Sequence, residues 1–138
     1  MRFSPDAVAN SDARERGVVD YRLARRSVIS EFRKGRLSQN DVCDAHPELV
    51  RAAQLYSRPT DELCPISEDA NLVLVTYVFG PTLPPFGRCV ATLQELAKLT
   101  RTARRQGGPF ICYVVEVCPE CHWNHLTRVF PLARGRDG

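Results

Sequence analysis

The sequence predicts an α+β fold in which N-terminal helices pack on a small antiparallel sheet, and three features carry that prediction. Apolar residues recur at helical intervals over 18–60. Two runs rich in β-branched and aromatic residues, Asn71–Phe79 (NLVLVTYVF) and 110–117 (FICYVVEV), read as strands and are separated by one capped helical stretch. The resulting order of helices, strand, helix, strand and strand belongs to segregated α and β elements. At 138 residues, 43% apolar and 25% charged, the chain has the size and balance of one globular domain.

Each element has a local cause. Residues 1–17 are polar, carry Ser11, Asp12 and the Arg14-Glu15-Arg16 cluster, and show no apolar period, so they read as a mobile arm ahead of a single domain over 18–138. Val18, Tyr21, Val28, Ile29 and Phe32 predict a first helix over 18–34, stopped by Gly35. Arg22, Arg26 and Arg33 line one flank of its stripe, and Arg25 falls close enough to the stripe to be partly buried. Ser38 with Asp41 caps a short helix, and Pro47 suits the first position of another holding Leu49, Ala52, Ala53 and Tyr56. Arg58-Pro59 breaks the pattern. Helical 18–60 then gives way to sheet with one inserted helix over 61–133. Gly80-Pro81 ends the first strand, Thr92 and Glu95 form a capping box for a helix reaching about Arg105, and Gly107-Gly108 stops it. A third strand follows over 126–132.

Composition excludes several classes. The longest apolar runs are far shorter than the roughly 20 residues a bilayer span needs. Met1 to Asn10 holds Asp6 and no long apolar stretch, unlike a secretory signal. A cytoplasmic protein is expected, and its six cysteines are then expected to be reduced, either metal-bound or buried. The net charge is +3, and 17 of the 19 basic residues are arginine, the cation best suited to bidentate phosphate contacts.

The sharpest motif is Cys118-Pro119-Glu120-Cys121 between two strands, with Cys64-Pro65-Ile66-Ser67 just ahead of another. A Cys-x-x-Cys turn brings two thiolates onto one ion, and paired turns of this kind make a zinc ribbon. Ser67 stands where a fourth cysteine would complete the set. Cys43 is the best replacement by chemistry, followed by His125, His122 and His46. The expected ligands of a structural zinc are therefore Cys64, Cys118, Cys121 and Cys43.

Cys118-x-x-Cys121-His122 also matches a haem attachment signature, but attachment belongs to exported proteins and the only methionine is Met1. A thioredoxin-like redox pair would need a crossover helix and strands after Cys121, where only 17 residues remain. Asp44, Glu48 and Glu116 form no acid–base pair by spacing. No catalytic residue is expected, and the chain reads as a non-enzyme.

The stretches Val18-Val19-Asp20-Tyr21 with Arg25-Arg26-Ser27, Val42-Cys43-Asp44-Ala45 with Leu49 to Ala53, Val75 to Gly80 and Val114 to Leu126 (VVEVCPECHWNHL) resemble a small actinobacterial family of unknown function with a zinc-ribbon-like C-terminal half. The resemblance implies a sheet of zinc-ribbon type and places ligands on Cys64, Cys118 and Cys121; it implies no activity. Because ribbons commonly serve nucleic-acid machines, a binding module for nucleic acid or a transcription or translation complex is expected, contacted through Arg22, Arg25, Arg26 and Arg33. The alternatives are a protein-interaction or regulatory adaptor with a purely structural ribbon and a thiol enzyme using Cys118 or Cys121.

Overall fold

A computed structural model describes residues 19–107 and 109–132. The arm expected over 1–17 lies outside the described residues, as do Gly108 and the end of the chain after Leu132. The elements are β1 (Val19–Asp20), α1 (Arg22–Arg33), α2 (Gln39–Val42), α3 (Pro47–Leu55), β2 (Arg58–Leu63), β3 (Asn71–Phe79), β4 (Arg88–Val90), α4 (Leu93–Gln106), β5 (Ile111–Val117) and β6 (Asn124–Pro131). The fold is α+β, as the sequence predicts, with a six-stranded sheet in which every recorded pairing is antiparallel.

The sheet runs β1-β6-β5-β3-β2, and β4 also pairs with β3. Strand β3 is long enough to hold β5 along one side and both β2 and β4 on the other, through Leu74↔Arg58 near one end and Tyr77↔Cys89 near the other. Alternation then sends successive residues to opposite faces. Val75, Tyr77, Phe79, Tyr113 and Val115 pack with Leu49, Ala52 and Ala53 of α3, while Val78, Cys112 and Val114 pack with Leu99 and Ala103 of α4. A third cluster at the open end joins Ile29 of α1, Val42 of α2, Leu72, Trp123, Cys64 and Cys118.

Local chemistry explains the places where the elements differ from the sequence reading. Helix α1 starts at Arg22 rather than at Val18, because Asp20 Oδ1 accepts the Arg22 backbone N–H at 2.9 Å while Val19 and Asp20 pair with Val129 and Arg128. The segment containing Arg58-Pro59 is strand β2, not a break. It pairs only with β3, and an edge strand tolerates a proline that cannot donate. β1 falls inside the span 18–60 expected to be helical and β2 begins within it, so helix and sheet interleave in sequence. Cys89 lies in β4. The caps behave as their residues dictate: Ser38 and Asp41 form a reciprocal capping box, Pro47 opens α3, and Gly107 closes α4 in the left-handed conformation. No helix among the described residues is long and apolar enough to cross a membrane.

Candidate metal centre

Two turns bring the cysteines together, and they share one backbone over their first five residues, the first closing one residue later than the second. In the β2–β3 turn the Cys64 amide donates to the Ala70 carbonyl at 2.8 Å and the Glu68 amide to the Cys64 carbonyl at 3.0 Å. In the β5–β6 turn the Cys118 amide donates to the Trp123 carbonyl at 2.8 Å and the His122 amide to the Cys118 carbonyl at 2.9 Å. The residue four places after the leading cysteine is left-handed in both, Glu68 at φ 57° and His122 at φ 73°. Each leading sulfur also accepts a backbone N–H from three residues on, Ser67 to Cys64 at 3.5 Å and Cys121 to Cys118 at 3.4 Å. Cys64 accepts a second from Ile66 at 3.4 Å.

These turns converge. The sulfurs of Cys64, Cys118 and Cys121 all lie within 4.8 Å of one another. Cys64 and Cys121 are 3.7 Å apart, close to the edge of about 3.8 Å that two sulfurs span on a tetrahedral ion with bonds of about 2.3 Å. Cys64 and Cys118 are fully buried and Cys121 is half-buried. Cys43, at the C-terminal end of α2, donates its thiol to the Cys121 sulfur at 3.2 Å and approaches the group from that side. Its segment is fixed independently of any ion. The Ala45 amide donates to the His122 carbonyl at 3.1 Å, and Asn124 Nδ2 donates to Asp44 Oδ1 at 3.2 Å.

Electrostatics separate the sulfurs. Burial alone would raise the Cys64 thiol, but the N–H groups of Ser67 and Ile66, with the Ser67 hydroxyl and Cys121, hold it below the ordinary thiol value. Burial raises Cys43, and the neighbouring Cys64 and Cys118 add to the rise; Cys121 is raised by burial and by its bond with Cys43. A positive ion among them reverses that mutual repulsion. Cys112 and Cys89 stand apart from the cluster, pushed up by burial to about 12 and about 11.

Cys43 and the histidines weighed as fourth ligands all lie outside the three-sulfur group, Cys43 touching it through the Cys121 sulfur. His46 Nδ1 accepts the Glu48 amide and caps α3. His122 turns the chain through its left-handed backbone. His125 is buried, with Nδ1 at 2.8 Å from the Leu126 carbonyl and its ring stacked on Trp123.

Behind the second turn lies a group that spacing alone did not single out. Glu116 Oε2 accepts Arg25 Nε at 2.6 Å and Trp123 Nε1 at 2.8 Å. This pair ties α1 and the β5–β6 turn to the middle of the sheet. The signal was present in the sequence, since a carboxylate in an otherwise apolar strand requires a partner, and Arg25 sits near the stripe of α1. Of the arginines expected to meet nucleic acid, Arg25 is thus committed to the interior and Arg22 pairs with Asp20 at 2.9 Å. Arg26 and Arg33 are exposed on α1, without an ion pair among the described residues.

Fold and cluster together define an α+β protein with three cysteines poised to hold a metal ion. The chain belongs to the family of unknown function DUF5318, whose model matches residues 13–137. It is 40% identical over 118 residues to uncharacterised proteins of Mycobacterium bovis (Mb0050) and Mycobacterium tuberculosis (Rv0049), covering 86% of this chain and 83% of each relative. These are actinobacterial relatives, in keeping with the resemblance read from the motifs. No solved structure matches the chain significantly.

Proposed function

We propose that this chain is a non-enzymatic binding module stapled by one structural zinc, held by Cys64, Cys118, Cys121 and Cys43, and that its partner is nucleic acid. The observation that carries the metal reading is the convergence of three sulfurs within 4.8 Å from two turns of the same backbone. All-sulfur donor sets suit zinc or iron–sulfur clusters, and a single tetrahedral ion fits the 3.7 Å separation of Cys64 and Cys121. Four thiolates close the coordination sphere, which is the arrangement of structural rather than catalytic zinc. Support for an anionic partner is the arginine-rich surface, of which Arg26 and Arg33 on α1 have no ion pair among the described residues.

Elemental analysis of protein purified without chelator tests the metal. One equivalent of zinc is expected, and well under half an equivalent of any metal overturns the reading. X-ray absorption should give four sulfurs near 2.3 Å, roughly the usual zinc–thiolate distance; a nitrogen shell would remove Cys43 from the set. For the partner, the wild-type protein is titrated against DNA and RNA near physiological salt, where no binding to either removes nucleic acid.

A further inference from the structure

Helix α4 concentrates charge differently from α1. At 3.6 residues per turn, Lys98, Arg101, Arg104 and Arg105 fall within a sector of about 120°, opposite Leu99 and Ala103, which are buried against the sheet. All four are exposed. None has a carboxylate partner among the described residues. The one acid of the helix, Glu95, is engaged at its N-terminus by the Ala91 amide at 3.1 Å and faces Arg88 at 3.6 Å. Arg105 reaches only the Thr102 hydroxyl, at 3.4 Å. Like charges three and four apart on one helix repel, so the free protein holds this row against a standing electrostatic penalty.

The adjoining sheet surface continues it. Arg128 pairs in register with Val114, a residue packed beneath α4, and so lies on the same sheet face. Its guanidinium lies 4.6 Å from the centroid of the Phe130 ring, a contact that orients the fork, and the acid opposite it across the β1–β6 pair, Asp20, is bonded to Arg22 at 2.9 Å. The row therefore has a fixed helix, a neighbouring oriented arginine and, among the described residues, no acid paired with its own four cations. Arginine forks match phosphate oxygens bidentately. No large aromatic side chain is exposed on α4 or β6, so the surface lacks the stacking platforms on which single strands lie.

We infer that the outward face of α4, with Arg128 beside it, docks the phosphate backbone of double-stranded nucleic acid without reading its bases. The inference rests on the nucleic-acid reading above and moves the main contact from α1 to α4.

The test measures fluorescence anisotropy of a labelled random-sequence DNA duplex across a salt series from 50 to 200 mM. The full-length zinc-loaded wild type is compared with an Arg101→Gln/Arg104→Gln/Arg105→Gln variant and an Arg26→Gln/Arg33→Gln variant. Glutamine keeps helix propensity, and an unchanged cooperative melt confirms that each variant is folded. Each lost phosphate contact should lower the slope of log affinity against log salt by about 0.9. The α4 variant is expected to lose two to three such contacts and at least tenfold in affinity at physiological salt, with a smaller loss in the α1 variant. Binding lost only in the α1 variant keeps the nucleic-acid reading and overturns this inference. Binding of single strands in preference to duplex also overturns it. A wild type that binds neither overturns both, and an α4-dependent shift onto anionic phospholipid vesicles instead would assign the face to a membrane surface.

Discussion

The turn at Cys64 and the turn at Cys118 follow the same path over five residues, with the same bond from the fifth amide back to the first carbonyl and the same left-handed fifth residue, although the first closes one residue later, on Ala70; at the fourth place one carries Ser67 and the other Cys121. The serine keeps everything in the turn that the backbone supplies. Its N–H still points at the leading sulfur, and its hydroxyl accepts the Asp69 amide at 3.3 Å. What it cannot supply is a fourth thiolate, and its oxygen stands 3.9 Å from the Cys118 sulfur. The sulfur nearest to filling that role comes from α2, far away in sequence. A symmetric ribbon would need nothing from the helices. With Cys43 as the fourth ligand, as proposed above, a bound ion would tie the helical segment to the sheet.

Removing a sulfur from the intact turn is the harshest way to break this comparison. Cys118→Ala empties a fully buried position and removes a ligand, so metal-binding free energy is lost as folding free energy. A destabilisation of about 4 kcal/mol or more is expected, the range reserved for losses of this kind. Chelator should lower the melting temperature of the wild type and leave that of the variant unmoved. A cost under about 1 kcal/mol with no chelator effect would mean that hydrogen bonds alone hold the turns, which is within their net strength.

The second turn is supported from behind by a buried carboxylate, whereas ahead of the first turn Arg25 reaches only the exposed Glu62, at 3.6 Å. Glu116→Ala leaves the Arg25 guanidinium, 24% exposed, with only the exposed Glu62 carboxylate at 3.6 Å, and strands the buried Trp123 indole N–H. Removing one partner of a buried pair costs about 3–5 kcal/mol, and the partial exposure of Arg25 argues for the lower end. Urea unfolding should show it, and the Arg25→Met/Glu116→Leu double variant should recover most of the loss, since an apolar replacement of both partners leaves no uncompensated charge. No recovery would show that the carboxylate acts chiefly through Trp123.

Exchanging the difference between the turns tests it more finely. Cys43→Ser should weaken zinc binding and lower stability by about 1–2 kcal/mol, less than the loss of a fully buried ligand. Adding Ser67→Cys to that variant should restore four-sulfur coordination and most of the stability, because the Ser67 amide already occupies the place of its Cys121 counterpart. X-ray absorption and thermal melts of the single and double variants check both. A double variant no better than Cys43→Ser would show that the first turn cannot present a sulfur to the ion.

Much of this was legible in the sequence, for identifiable reasons. β3 and β5 announce themselves because both faces are buried, so β-branched and aromatic residues run almost unbroken. The caps at Ser38, Pro47 and Thr92 act within four residues and need no tertiary context. The spacing of Cys118 and Cys121, with Cys64 ahead of a strand, located the cluster. β2 was hidden because its residues are mostly exposed and contain Pro59, a breaker everywhere except on an edge. β1 was hidden because two residues carry no period. The position of Cys43 beside Cys121 depends on how α2 packs on the β5–β6 turn, through Ala45 and Asp44, and no local pattern encodes that contact. The pairing of Arg25 with Glu116 spans 91 residues and is equally invisible to spacing, although each charge taken alone was out of place in its element.

The smallest expected effect concerns the backbone the two turns share. Glu68 and His122 both hold a left-handed conformation that costs a residue with a side chain about 1–2 kcal/mol relative to glycine. Glycine in turn gives the unfolded chain more freedom, worth about 0.4–1 kcal/mol against it. The Glu68 side chain is exposed and has no bonding partner among the described residues, so Glu68→Gly isolates the backbone and should stabilise by about 0.5 kcal/mol. For a chain of this length that is a rise of roughly 2 °C in melting temperature. His122 is half-buried between Cys121 and Trp123, so His122→Gly removes packing as well as strain, and its gain should be smaller or reversed. The contrast between the two variants measures what the His122 side chain adds to a turn whose backbone is otherwise that of Cys64. A Glu68→Gly variant that melts below the wild type would show that the first turn does not hold this conformation in solution, and the equivalence of the two turns would fall with it.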